Sequence, residues 1–332
     1  MTYATHNVQT TTKTVGFPPT PPEAHPQAGV KTKRKVTQRG GVKKDLKQDI
    51  TNKIIELMEA GPGAWKQTWA AAANSGMPVN ATTGKPYRGI NVLLLWMAGV
   101  EAGYPTNQWM TFKQAQAIGA NVRKGEKSVT CVFFDMIKKK DAQEGEDEYF
   151  PMAKAFHLFN IAQIENLPSE ILVSDITPPA FSPDELAEMF IRDTGATIEH
   201  HGNKAFYSPK HDKIVLPMPE AFTTPANYYA TAAHELTHWT GHKTRLDRDF
   251  SKSTRFGDEA YAFEELVAEL GAAFVCGLFG FVDATVENHA SYMASWIKVL
   301  KNDKNAIFTA ASQAGHAFDY LVELTGITPQ DQ

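Results

Sequence analysis

The chain has 332 residues, is 42% hydrophobic and 21% charged, and carries a net charge of −4 at pH 7. That content supports one large or two ordinary domains with real cores, and no run of about 18 apolar residues is present to cross a membrane. The only cysteines, Cys131 and Cys276, exclude a disulfide scaffold and point to a reducing, cytoplasmic setting.

Net charge hides a split between the halves. Residues 1–170 hold 21 Lys/Arg against 15 Asp/Glu, and residues 171–332 hold 12 against 22. Excess cations suit the holding of phosphates, and an acidic half does not. The polar, Thr-rich N-terminus lacks the apolar stretch of a secretory signal. Residues 1–41 read as a disordered arm, rich in Thr and Pro and poor in aliphatic residues. The arm runs into "VKTKRKVTQRGGVKK", seven basic residues without an acid between Lys31 and Lys44. Such a run serves as a solvated linker or as an arm that clings to nucleic acid without sequence preference.

A first folded unit is expected over residues 42–167. Leu46, Ile50, Ile54, Leu57 and Met58 recur at helical spacing and stop at Gly61-Pro62. "INVLLLWMAGVEAGY" reads as a buried helix, and "TFKQAQAIG" as a short one capped by Thr111. "KSVTCVFFDMIK" and "AFHLFNIAQI" read as strands around a charged loop, which makes the unit α+β. Basic and aromatic residues interleave through it: Trp65, Lys66, Trp69, Lys85, Tyr87, Arg88, Asn91, Trp109, Lys113, Arg123, Lys124 and Lys127. Single-strand binders combine these chemistries, cations tracking the backbone while ring faces stack on bases. For any one tryptophan, a place in the core competes with that role.

Residues 168–182 read as a Pro-rich linker, and 183–325 as a second domain opened by the Ser182-Pro183 cap. "ATIEHHGNKAFYSPKHDKIVLP" carries two or three strands, followed by helices over 226–241, 258–280, 285–301 and 305–322. Within the first of these helices stands "AAHELTHWTGH". His234 and His238, four apart, share one helix face and can point two imidazoles at one cation. Glu235 falls beside the open position, where it can take a proton from water. A pair of satisfied helix histidines is the competing reading, but two histidines and a glutamate are costly in so apolar a run without partners.

A third ligand is needed. Thr244 occupies the place where H-E-x-x-H-x-x-G-x-x-H requires histidine, so His242 is a weak candidate. "AFEELVAELGAAF" offers Glu265 and Glu269. Their E-x-x-x-E spacing resembles the thermolysin-like pattern, with Glu265 as ligand and Glu269 orienting a histidine, or the two roles exchanged. Zn²⁺ is the expected ion, with Mn²⁺ as the alternative. Lys243, Arg245 and Arg248 could hold the loop or contact substrate, with a plain surface loop the favoured reading; Tyr228, Tyr229 and Tyr261 could stabilise an oxyanion, with packing the favoured use.

"NATTGKPYRGIN", "WMTFKQAQAIGANVRKGEKS" and "HELTHWTGHKTRLDR…FGDEAYAFEELVAELGAAF" together resemble the ArdC antirestriction proteins of plasmids and mobile elements. They are also similar to the N-terminal region of plasmid TraC-type primases. The resemblance spans roughly residues 42–320. It implies a single-stranded DNA-binding domain joined to a zincin-like metallopeptidase domain, protecting incoming DNA from host restriction during conjugation. It further implies His234, His238 and an acid of the 265/269 pair as metal ligands, with Glu235 as catalytic base. The partners expected are single-stranded DNA, duplex DNA without sequence preference, and a protein substrate such as a restriction enzyme or DNA-bound protein. The alternative is a non-catalytic DNA-coating protein or a conjugative primase accessory.

Overall fold

Two long helices, packed face to face near the end of the chain, carry the residues of interest, and the rest of the fold holds them in place. The computed structural model describes residues 45–65, 76–138, 149–172, 183–248, 259–281 and 289–328. Residues 44–332 form one compact unit. The expected Lys66, Trp69 and Ser182 fall outside the described residues, as does the arm.

Helix α1 (Leu46–Glu59) starts where Asp45 accepts the Gln48 N–H, and it buries Ile50, Ile54, Ile55 and Met58. A strand β1 (Val79–Asn80) precedes α2 (Ile90–Ala102), whose Val92, Leu93, Leu94, Leu95 and Trp96 are buried. After β2 (Gln108–Met110) comes α3 (Phe112–Ala117), capped by Thr111 as the sequence predicts, with the Gln114 side chain closing a reciprocal bond that the sequence reading did not include. Strand β3 (Asn121–Val122) leads to β4 (Val129–Lys138) and β5 (Tyr149–Asn160), which pair antiparallel over ten residues. Strand β5 begins earlier than expected, inside the segment read as a charged loop. Its Pro151 pairs with Met136, beyond the point where β2 covers the other edge of β5, so the missing N–H breaks no ladder on that side. The four strands run in the order β1-β2-β5-β4, and a separate pair joins β3 to β6 (Ile164–Glu165). A single helical turn, α4 (Ser169–Leu172), ends this half.

The second half opens with α5 (Pro183–Asp193) and a three-stranded sheet of β7 (Thr197–His200), β8 (Phe206–Ser208) and β9 (Lys213–Leu216). Strand β9 lies in the middle, parallel to β7 and antiparallel to β8. Helices α6 (Pro225–Thr240), α7 (Glu259–Phe279), α8 (His289–Asn302) and α9 (Ala306–Thr325) follow, close to the four expected spans. Helix α6 carries a Thr224 cap with proline at its first position and is buried on nearly every side.

One hydrophobic core runs through both halves, from Ile54 and Trp96 to Leu266, Phe274 and Ile307. Two glycines on α7 allow the closest approaches. A Cβ on Gly271 would lie 2.5 Å from the Thr237 side chain of α6, and one on Gly277 would lie 2.6 Å from the Trp96 ring of α2.

Candidate metal centre

Helices α6 and α7 present the donor groups to each other. His234 and His238 project from one face of α6, one turn apart, with ring centroids separated by 4.9 Å. Glu265 comes across from α7 and meets both. Its Oε2 is 3.6 Å from His234 Nε2 and its Oε1 is 3.5 Å from His238 Nε2. Ligand atoms of these three residues lie within 4.8 Å of one another, the single such group among the described residues. Glu269, the alternative ligand, is outside the group, and its Oε1 accepts the Trp65 indole N–H at 3.4 Å. His242 faces Thr244 instead, with Nδ1 2.8 Å from its Oγ1.

The donor set fits a divalent ion. Two donors held about 2.0–2.1 Å from a tetrahedral ion stand about 3.3 Å apart, and the nitrogen–oxygen separations here are close to that. Both imidazoles turn the same nitrogen, Nε2, toward one carboxylate. Two imidazoles and a carboxylate suit zinc and manganese alike.

Electrostatics around the group follow from burial and pairing. Burial pushes the Glu265 carboxyl up, but the adjoining His234 and His238 outweigh it and hold the acid well below the ordinary carboxylate range. Burial pulls His238 down, and its bonds to Glu264 and Glu265 overcome that, lifting it to about 10. Glu235 is buried beside them, and burial foremost raises its carboxyl, against the neighbouring histidines and a bond from the Tyr207 backbone N–H of β8. Tyr261 and Tyr292 line the same region, with hydroxyls 3.3 Å apart, and burial raises both.

Three residues here hold places that the sequence reading did not favour. Glu264 places Oε1 3.2 Å from His238 Nδ1 and also accepts from the Arg248 guanidinium at 2.9 Å. Sequence reading assigned Arg245 and Arg248 to a surface loop, yet their side chains are only 8% and 7% exposed. Arg245 lies over the Trp239 ring at 3.8 Å and pairs with Asp212, so burial is offset by a ring face and a carboxylate. The signal was available in Trp239 and Glu264, both within 16 positions of an arginine, but contact of this kind has no sequence period.

The expected nucleic-acid residues divide. Lys85, Arg88, Lys113, Arg123, Lys124 and Lys127 are exposed. Arg88 pairs with Asp319 of α9 at 2.6 Å, and Arg123 with Glu126 at 2.9 Å. Trp65 and Trp109 are corrections: both are fully buried, Trp65 against Trp296 and Trp109 against Tyr104, and neither offers a ring face to a base. Asn91 is a third, because its amide donates to the Val132 carbonyl and accepts the Val132 N–H, clamping α2 to β4. Tyr87 is half-buried and bonded to Asn80. Exposed rings are found elsewhere, on the β4–β5 hairpin, where Phe133 and Phe134 are 46% and 45% exposed.

Comparison with known proteins places both halves. Residues 185–313 match the family of zincin-like metallopeptidases, and residues 44–159 match the N-terminal domain of the anti-restriction factor ArdC. The metal-free crystal structure of the antirestriction protein ArdC from plasmid R388 superposes with a TM-score of 0.72 at 41% identity, covering 85% of this chain and 98% of that one. The chain belongs to the ArdC antirestriction family. The Mn(II)-bound form of R388 ArdC gives a TM-score of 0.68 at 39% identity, over 85% of this chain and 98% of that one. An uncharacterised protein of Sinorhizobium fredii, y4eC, is 38% identical over 286 residues, 83% of this chain and 91% of its own. The DNA primase TraC of Escherichia coli is 36% identical over 298 residues, which span 84% of this chain but 20% of the primase. Among the described residues no helix is long and apolar enough to cross a membrane.

Proposed function

We propose that this ArdC-family chain is a cytoplasmic antirestriction protein that binds single-stranded DNA through residues 42–167 and hydrolyses a protein target with residues 183–325, the two joined by 168–182. The observation that carries the hydrolytic part is the convergence of His234, His238 and Glu265, with Glu235 buried beside them. Those three would hold Zn²⁺ or Mn²⁺; the Mn(II)-bound R388 relative supports the second. Bound there, a divalent ion supplies Lewis-acid polarisation of a peptide carbonyl and acidifies water. Glu235 accepts the proton of the attacking water and returns it to the leaving amine. Burial favours the uptake, since it destabilises the charged carboxylate and so stabilises the protonated acid. Helices α6 and α7 fix the donors in advance, so orientation is supplied by the fold.

Glu235→Ala tests this reading. The variant is expected to keep its metal and lose digestion of a restriction enzyme or DNA-bound protein by a factor of at least about 100. Undiminished digestion refutes the peptidase assignment. For DNA, support comes from the exposed lysines and arginines of the first half and from the part-exposed ring of Phe133; Phe134, on the other face of β4, already packs against Phe308 beneath the Lys47 ammonium. The same exposed set favours a second reading, protection by coating DNA alone. Protection retained by Glu235→Ala in a conjugation assay supports coating, and protection lost supports proteolysis.

A further inference from the structure

An imidazole binds a cation well only when one nitrogen aims its lone pair at the ion and the other carries the proton. His238 Nε2 faces Glu265 at 3.5 Å, so the site needs that proton on Nδ1. Glu264 Oε1 stands 3.2 Å from Nδ1, in place to accept the hydrogen bond. Such a buried carboxylate is tolerated only when paired. Arg248 pairs it, with Nη2 2.9 Å from Oε1 and Nε 3.3 Å from each carboxylate oxygen. The guanidinium is fixed in turn by the end of α6, donating to the Thr237 carbonyl at 2.5 Å and to the Thr240 hydroxyl at 2.9 Å. A chain of contacts thus leaves the C-terminus of α6, passes through Arg248 and Glu264, and returns to His238 on the same helix.

We propose that Glu264, locked by Arg248, is the positioning residue that sets the tautomer and ring orientation of His238 and so the affinity of the centre for its divalent ion. This inference rests on reading His234, His238 and Glu265 as ligands. The role differs from the one expected for Glu269, a turn further along α7, whose carboxylate turns to Trp65. Control falls on one ring, because among the described residues the buried His234 Nδ1 has no hydrogen-bond partner. A carboxylate behind His238 also strengthens the nitrogen opposite as a donor, which adds to orientation.

The test uses the full chain stripped by chelator and titrated with Zn²⁺ alone, in competition with a fluorescent chelator. Glu264→Gln is expected to weaken binding about tenfold and Glu264→Ala up to about 100-fold. Arg248→Met should weaken it as well, and Glu264→Asp should recover part of the loss. Glu259→Gln, at the exposed start of α7, should change nothing. Circular dichroism confines the comparison to folded variants. In zinc-loaded protein with ¹⁵N-labelled histidine, the parent should show a slowly exchanging His238 ring N–H that Glu264→Ala loses; a merely structural Glu264 leaves that signal in place. The proposal is overturned if both Glu264 variants bind zinc as tightly as the parent, or if Glu269→Gln rather than Glu264→Gln brings the loss. A parent that binds no divalent ion overturns the ligand reading and this inference together. None of these readouts depends on peptidase activity.

Discussion

Gly271 sets how near the two helices that carry His234, His238 and Glu265 can come. Thr237 opposite is β-branched and already donates to the Ala233 carbonyl at 2.8 Å, so it has little room to yield. Gly271→Ala is expected to destabilise the protein by about 1–3 kcal/mol in urea unfolding, through overpacking. Asp212 offers a test of pH dependence away from the centre. Its hydrogen bonds from Arg245, then from Tyr207, hold its pKa below the ordinary value against burial. A depressed acid contributes stability above its unfolded pKa of about 3.9 and loses it as pH falls through the folded value. Asp212→Asn should therefore flatten the loss of stability below about pH 4, measured by melting temperature against pH. At this scale the sequence was a partial guide. His234 and His238 were legible because the helical period is local, and Glu265 because a second acid-bearing helix follows. Trp65 and Trp109 were misread because indole serves equally in a core and against a base. For Arg248 the surface-loop reading was favoured over a hold on the loop because nothing local distinguishes a buried arginine from a solvated one.

Elements were easier to find when they were long. The helices from α6 to α9 stand close to their expected spans because each carries several turns of apolar periodicity, and α6 and α9 also end at a glycine. Strands β1, β2, β3 and β6 have two or three residues each, too few to show any alternation, and only their partners define them. The attachment of the β4–β5 hairpin to the helices was equally hidden, since it rests on side-chain contacts such as Asn91 to Val132 and Phe134 to Phe308. Asn91→Ala removes a donor and an acceptor from the Val132 backbone. It is expected to cost about 1–3 kcal/mol, read by urea denaturation, with the greatest gain in amide exchange along β4.

Across the whole molecule, composition pointed to two modules, and two families do match the two halves. The core, however, is shared, with Ile54 and Trp96 in the same cluster as Leu266 and Ile307. Thermal unfolding should accordingly show one transition for fluorescence and circular dichroism probes; separate transitions would contradict a shared core. The charge asymmetry also has a finer address. Residues 1–44 hold eight Lys/Arg and one Asp/Glu, whereas residues 45–170 hold 13 against 14. Replacing Lys33, Arg34 and Lys35 by glutamine should lower the salt-dependence slope of oligo-dT binding by about 2, since each single-strand phosphate contact adds about 0.7. Fluorescence anisotropy at several salt concentrations reads this directly. Finally, the absent side chain at Gly277 makes α7 a socket for the Trp96 indole. Excised at the linker, the zincin-like half would carry a furrow shaped for a tryptophan it no longer has. Such a fragment invites aggregation, and a usable minimal zincin-like domain would have to be engineered by plugging that furrow with a bulkier residue rather than by truncation alone.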